Sequence, residues 1–357
     1  MRIHSKVILL FFIATASFAQ LGGRNGYTFL NFPINAKTSA IGGMNNSVRD
    51  NDPSTLYNNP ALLNKEMHNR AVVNFAPFVA NVSYYSAAYA FDHAKFGGTT
   101  GFGVQYMYYG IANETDINGS SVGNSISANE FALTLGHSHT LGNYTLGANV
   151  KLAGSQLVRS TSLALLTDIG AVFKHPKYDF TIGLLVKNLG FPIKSYGSAF
   201  TVSMPLDVQL GISFKPQHAP FRFSVLIHHL QRYDIAYDDP TNVSSYDING
   251  NPIVNRVTVI DQIGRHFVLG GEFLLSKGFN IRVGYNHMMR SELRNVNEGG
   301  LSGFSLGFML KVKMFELGYS HAFYHSVGGL NTFSLNVQLD GFYKKAEKLP
   351  EEAQKPN

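Results

Sequence analysis

The chain has 357 residues, with 35 glycines, 27 phenylalanines and 18 tyrosines but no cysteine and no tryptophan. The lack of cysteine excludes disulfides, cysteine-ligated metals, thiol catalysis and a lipid-modified N-terminal cysteine. Charged residues make up 15%, below the roughly 25% of ordinary soluble domains, and the net charge of +6 is spread along the chain, which argues against nucleic-acid binding.

Residues 1–19 have the parts of a secretory signal. Arg2 and Lys6 precede an apolar run over 7–14, and Ser17-Phe18-Ala19 places small residues where a signal peptidase reads, so the mature chain is expected to begin near Gln20. No segment approaches the roughly 20 apolar residues of a spanning helix, which excludes a helical membrane protein. Residues 20–69 are expected to be a compact, turn-rich unit whose densest part is 40–65. There Gly42 and Gly43 permit backbone angles closed to other residues, and Asn51-Asp52-Pro53-Ser54 reads as a tight turn. Asn59 reads as an N-cap with Pro60 at the first helical position, followed by Ala61, Leu62 and Leu63, which predicts a short capped helix.

From Arg70 onward apolar and polar residues alternate with period two. In 207–215, for example, Val208, Leu210, Ile212 and Phe214 oppose Asp207, Gln209, Gly211, Ser213 and Lys215. Such runs suit membrane-crossing strands, which need roughly ten tilted residues. The faces opposite the apolar ones carry Glu130, Lys151, Asp168, Arg282, Lys311 and Glu316, as a wet interior would.

Fourteen strands are expected, centred on Val73, Tyr85, Tyr106, Leu133, Val150, Leu165, Ile182, Leu210, Val225, Leu269, Val283, Phe308, Tyr319 and Leu335. The alternation slips a frame at Tyr84 and Tyr85. Connections after even-numbered strands are short, near 93–98, 142, 175–177, 216–219, 276–278 and 314. Several after odd-numbered strands are long: 113–125, 189–204, 235–262 and 290–301. The fold class is therefore all-β: a transmembrane antiparallel outer-membrane barrel over 70–343, with both termini periplasmic and the long loops extracellular. Tyr84, Tyr85, Tyr106, Tyr108 and Tyr109 suit interfacial girdles. A ring of fourteen strands is wider than its wall side chains fill, so residues 20–69 are expected to plug it, through Gly42, Gly43, Asp52, Pro53, Asn59, Pro60 and Ala61. Arg49, Asp50 and Asp52 are expected to pair with lumen charges, and 344–357 reads as a disordered periplasmic tail.

The order of Phe29-Leu30-Asn31-Phe32-Pro33, Ile41-Gly42-Gly43, residues 50–54 and Asn59-Pro60-Ala61-Leu62-Leu63 before fourteen strands resembles the FadL- and PorV-like outer-membrane barrels of Bacteroidota. Within them it looks most like the PorQ-like family of the type IX secretion system. Phe32 and Ile41 stand where the family pattern has Leu, a mild departure. The resemblance implies a non-enzymatic component that holds a surface protein, PorZ, in an attachment complex with PorU and PorV. The alternative is a FadL-like transporter of small hydrophobic molecules by a lateral or plug-gated route.

Other chemistry is weaker. His137 with His139, and His228 beside His229, are metal-ligand types, but a site needs further ligands that the sequence does not supply. Ser320-His321 could suggest a hydrolase, yet neighbouring strand residues point to opposite faces. No catalytic, metal or cofactor site is expected. The candidate partner-binding surface is 235–262, where Tyr237, Asp238, Asp239, Tyr246 and Asp247 combine aromatic area with charge.

Overall fold

The computed structural model describes residues 25–33, 35–93, 97–197, 202–236, 243–246, 248, 252–254, 257–294, 300–325 and 328–342. The expected signal segment, the tail over 344–357 and Tyr237, Asp238, Asp239 and Asp247 lie outside them.

The strands are β1 (Arg70–Pro77), β2 (Ser83–Asp92), β3 (Thr99–Thr115), β4 (Ser121–Leu141), β5 (Tyr144–Leu157), β6 (Ser160–Lys174), β7 (Asp179–Lys194), β8 (Asp207–Lys215), β9 (Phe221–Ile227), β10 (Val243–Tyr246), β11 (Pro252–Val254), β12 (Phe267–Phe273), β13 (Phe279–Asn286), β14 (Phe304–Val312), β15 (Phe315–His325) and β16 (Gly328–Gln338). Fourteen of them close an antiparallel barrel. Each pairs with the next, β9 pairs with β12, and β16 returns to β1 with Val73 opposite Leu335. β10 and β11 form a separate two-stranded hairpin, which contains Tyr246, in the β9–β12 connection. Each expected strand centre falls in its own barrel strand.

Period-two patterning decides which side chains face where. In β4 Ala132, Thr134 and Ser138 are buried inward, while Phe131, Leu133 and Leu135 stand exposed on the outside. Outer aromatics touch from strand to strand: Phe308 on Tyr319, Tyr319 on Phe333, Phe333 on Phe75, Phe75 on Tyr85 and Tyr85 on Tyr106. So continuous an apolar belt is unfavourable in water and favourable in lipid, which is the physical basis of an outer-membrane barrel. No helix among the described residues is long and apolar enough to cross a membrane.

Two expectations change. Tyr84 is not a girdle residue: it is buried in the lumen, where Gln105 Nε2 donates to its hydroxyl at 2.6 Å, and this inward tyrosine causes the apparent frame slip. Residues 113–125 are not an open loop, because β3 and β4 stay paired past the membrane belt, with Asn113 opposite Ser125 and Thr115 opposite Ser121. Both faces of this extension are solvated, so hydrophobic periodicity vanishes there while backbone pairing persists.

One rim carries only short turns among the described residues, and the other carries the described parts of the connections within 195–206, 228–266 and 287–303. The latter two hold helices α2 (Val259–Gly264) and α3 (His287–Leu293); α1 (Ala36–Ala40) precedes the barrel. The barrel ends Arg70 and Gln338 pair at the short-turn rim. The described chain starts at the opposite rim, where Asn25 bridges to Ser203.

Candidate functional site

The described residues 25–33 and 35–69 pack inside the barrel between the long-loop rim and the short-turn rim, in very short helical pieces started by Asn or Asp. Asn35 Oδ1 accepts from Thr38 N (2.7 Å) to start α1, and Asp52 Oδ1 from Ser54 N (2.8 Å) to start a 3-10 helix at Pro53–Tyr57. Asn59 Oδ1 accepts from Ala61 N (3.0 Å) before Pro60–Leu62, and Asn64 Oδ1 from Glu66 N (3.1 Å). The expected tight turn at 51–54 is thus the start of a 3-10 helix, and the expected helix after Asn59 is a single 3-10 turn. The capping chemistry is as the sequence indicates, but a segment that must double back repeatedly inside a closed ring cannot extend an α-helix.

Gly42 and Gly43 have φ of 96° and 88°, the left-handed region where glycine is unstrained. Gly42 N donates to Ser305 Oγ (3.1 Å) and Asn286 Nδ2 donates to Gly42 O (3.2 Å), which fastens the turn to β13 and β14.

Toward the short-turn rim the segment is held by charge. Asp50 meets Arg282 at 2.9 Å and Arg222 at 3.4 Å, and Glu272 meets the same guanidinia at 2.6 and 2.7 Å. Lys37 pairs with Glu316, and with Asp52 at 3.7 Å. Burial opposes the charge on Asp50, but Arg282, Lys37 and Arg222 outweigh it and hold the carboxyl well below the usual carboxylate range. Elsewhere on the wall Lys151 pairs with Asp168 at 2.6 Å, and Asn188 joins Lys151 and Asp168 to Asn31 of the threading segment. Arg49 instead lines a recess near Lys174 and His175.

Toward the long-loop rim the contacts turn apolar. Tyr27, Phe29 and Leu30 are buried in one cluster with Ala132, Ala153, Leu166, Tyr324 and Leu330 of the wall, and Phe32, Phe78 and Met289 pack against it. A small apolar recess lies beside it, between Pro33, Met289, Phe304 and Tyr324. A small polar recess lies between Asn31, Asn45, Lys187, Asp207 and Gln209.

Of the other sequence candidates, Ser320 faces inward and His321 outward, bonded to Asn331, so no serine–histidine dyad forms. His137 and His139 lie on the outer face of β4 against Thr100 and Gly97. Two assemblies go beyond the expectations drawn from the sequence. Asp207, His228 and His229 converge, with ligand-type atoms all within 4.8 Å of one another. On the long-loop rim Asp261 of α2 accepts from Arg265 (2.8 Å) and Ser291 (3.0 Å) and contacts His287 Nε2 (2.9 Å), which knits α2 to α3 and leaves Val259 and Ile260 exposed.

No protein-family model matches the chain, and no curated protein does. Among solved structures, the toluene transporter TbuX of Ralstonia pickettii is similar with a TM-score of 0.50 and 11% identity, over 87% of this chain and 98% of that one. A mutant of the monoaromatic hydrocarbon channel TodX is similar with a TM-score of 0.48 and 14% identity, over 86% and 97%. The TbuX likeness supports the fold, a closed antiparallel outer-membrane barrel.

Proposed function

We propose that the chain is a sealed, non-enzymatic outer-membrane barrel, plugged by residues 25–69, that anchors a protein partner at its long-loop rim. The type IX secretion role implied by the Phe29–Pro33, Ile41–Gly43 and Asn59–Leu63 elements gives that partner its class, a PorZ-like attachment-complex protein. The long loops then face the cell exterior and the barrel ends the periplasm. One observation carries the reading: the apolar layer of the lumen is filled by the chain's own Tyr27, Phe29 and Leu30 rather than left open for a passenger. The α2–α3 ledge fits the same role, since a braced surface with exposed Val259 and Ile260 loses little freedom when a partner covers it.

A second reading, transport of small hydrophobic molecules, is favoured by the apolar lumen layer and by the fold likeness to a toluene transporter. That likeness supports transport more directly than anchoring, and the comparisons do not bear on type IX secretion.

One experiment separates the two. A Strep-tagged chain is recovered from native outer membranes in mild detergent, alongside a variant with 237–256 replaced by a Gly-Ser linker, which keeps the buried Ile235 and the capped α2. The expected result is a stoichiometric surface protein with the intact chain that is lost or depleted with the variant. Recovery of the barrel alone in both cases, together with impaired uptake of an aromatic hydrocarbon after gene deletion, overturns anchoring in favour of transport.

A further inference from the structure

We propose that Asp207, His228 and His229 form a binding site for a divalent transition-metal ion, with zinc the best match to the ligand chemistry. Consecutive residues of a strand point to opposite faces, so two neighbouring histidines do not normally share a ligand. Here β9 ends at Ile227, and His229 has φ of 56°, a left-handed backbone that residues other than glycine seldom adopt. The turn brings the two rings to a centroid separation of 4.7 Å and sets Nδ1 of one against Nδ1 of the other. Facing nitrogens of this kind are satisfied by one shared proton, or by one metal ion once the rings part enough to admit it.

The third ligand is already oriented. Asp207 Oδ1 accepts from His229 N (2.6 Å) and Oδ2 from Gln209 Nε2 (2.7 Å), the outer hydrogen bonds that aim a carboxylate at a metal. All three side chains are buried, and Nε2 of His228 has no hydrogen-bond partner in its surroundings. Burying an unpaired polar atom is unfavourable, so the fold holds this ring without stabilising all of it. Two histidines and one carboxylate are a recognised zinc set that leaves a fourth position open. A polar recess borders Asp207 and Gln209. Lys187, opposite Asp207 in the β7–β8 register, is the competing cation. A bound metal would clamp the start of β8 to the end of β9, at the foot of the connection that carries α2 and the β10–β11 hairpin.

The test uses the full chain in detergent micelles, purified with a non-histidine tag, stripped with EDTA and dialysed. Co²⁺ is titrated while its visible absorption is followed, and Zn²⁺ is then added to displace it. We expect one Co²⁺ per chain with the strong visible bands of a low-coordinate site. Affinity should fall about 100-fold or more in His229→Ala and in Asp207→Asn, and stay unchanged in the His137→Ala, His139→Ala double variant. The wild-type titration stands without the variants: a folded, heat-modifiable barrel that binds no Co²⁺ overturns the proposal. So does binding that both site substitutions leave intact.

Discussion

At the scale of single residues, the ion cluster around Asp50 is where charge most directly holds the threading segment. Asp50 shares Arg282 and Arg222 with Glu272, so its removal leaves two guanidinia on one carboxylate. Breaking a buried pair costs more than an exposed pair is worth, but Glu272 remains and Asp50 is partly exposed, so Asp50→Asn is expected to loosen the segment by about 2 kcal/mol, roughly 30-fold in an opening equilibrium. Hydrogen exchange of 35–69 in micelles should show the faster opening. The sign with pH follows from the lowered folded-state pKa of Asp50. Its contribution is complete above the ordinary aspartate value of about 3.9 and is lost only as pH falls through the lowered one. Once corrected for the intrinsic pH dependence of amide exchange, the wild-type segment should therefore be equally protected at pH 7 and pH 5, while the variant is less protected at both. A wild type that opens between pH 7 and pH 5 would remove Asp50 as the latch.

At the scale of elements, the threading segment and the wall were made for each other, and glycine shows it. A Cβ on Gly147 of β5 would lie 2.4 Å from Ala61 N and 2.5 Å from the Pro60 carbonyl carbon, so the 3-10 turn after Asn59 rests on a strand position with no side chain. Gly147→Val must push that turn off the wall, with an expected loss of about 2 kcal/mol, whereas Ala148→Val on the exposed outer face of the same strand should be near neutral. The temperature at which the barrel loses heat-modifiable migration would rank the two; equal effects would mean that the turn does not bear on the wall.

Such elements were legible in the sequence to different degrees. Period-two alternation located the barrel strands because one face of each must be apolar, and Asn59-Pro60 announced a capped turn because capping is local chemistry. The length of that turn was not legible, since the closed lumen sets it. Nor did alternation locate the outer ends of β3 and β4, where both faces meet water. The meeting of Asp207 with His228 and His229 was within reach: counting back along β8 and forward along β9 from the short turn at 216–219 brings Asp207 and the histidine pair to one rim. The left-handed backbone at His229 that turns the rings together leaves no such sign.

At the scale of the whole molecule, the proposed seal of the lumen has two levels of different chemistry at different heights. Toward the short-turn rim it is crossed by the ion pairs of Asp50, Lys37, Arg222 and Arg282, and toward the long-loop rim by the apolar layer around Tyr27, Phe29 and Leu30. Under the proposed seal, a hydrated ion is stopped by the second even when the first is loosened, because stripping its water to enter an apolar layer is far costlier than one ion pair is worth. In planar bilayers the wild-type barrel should therefore carry no steady ion current, and Asp50→Asn alone should leave it closed. Asp50→Asn combined with Phe29→Ala and Leu30→Ala breaches both levels and should conduct. A steady current through the wild type would show that the two levels do not close the lumen. A current already present in Asp50→Asn would make the charged level the sole barrier to ions and leave the apolar layer free to serve a hydrophobic passenger.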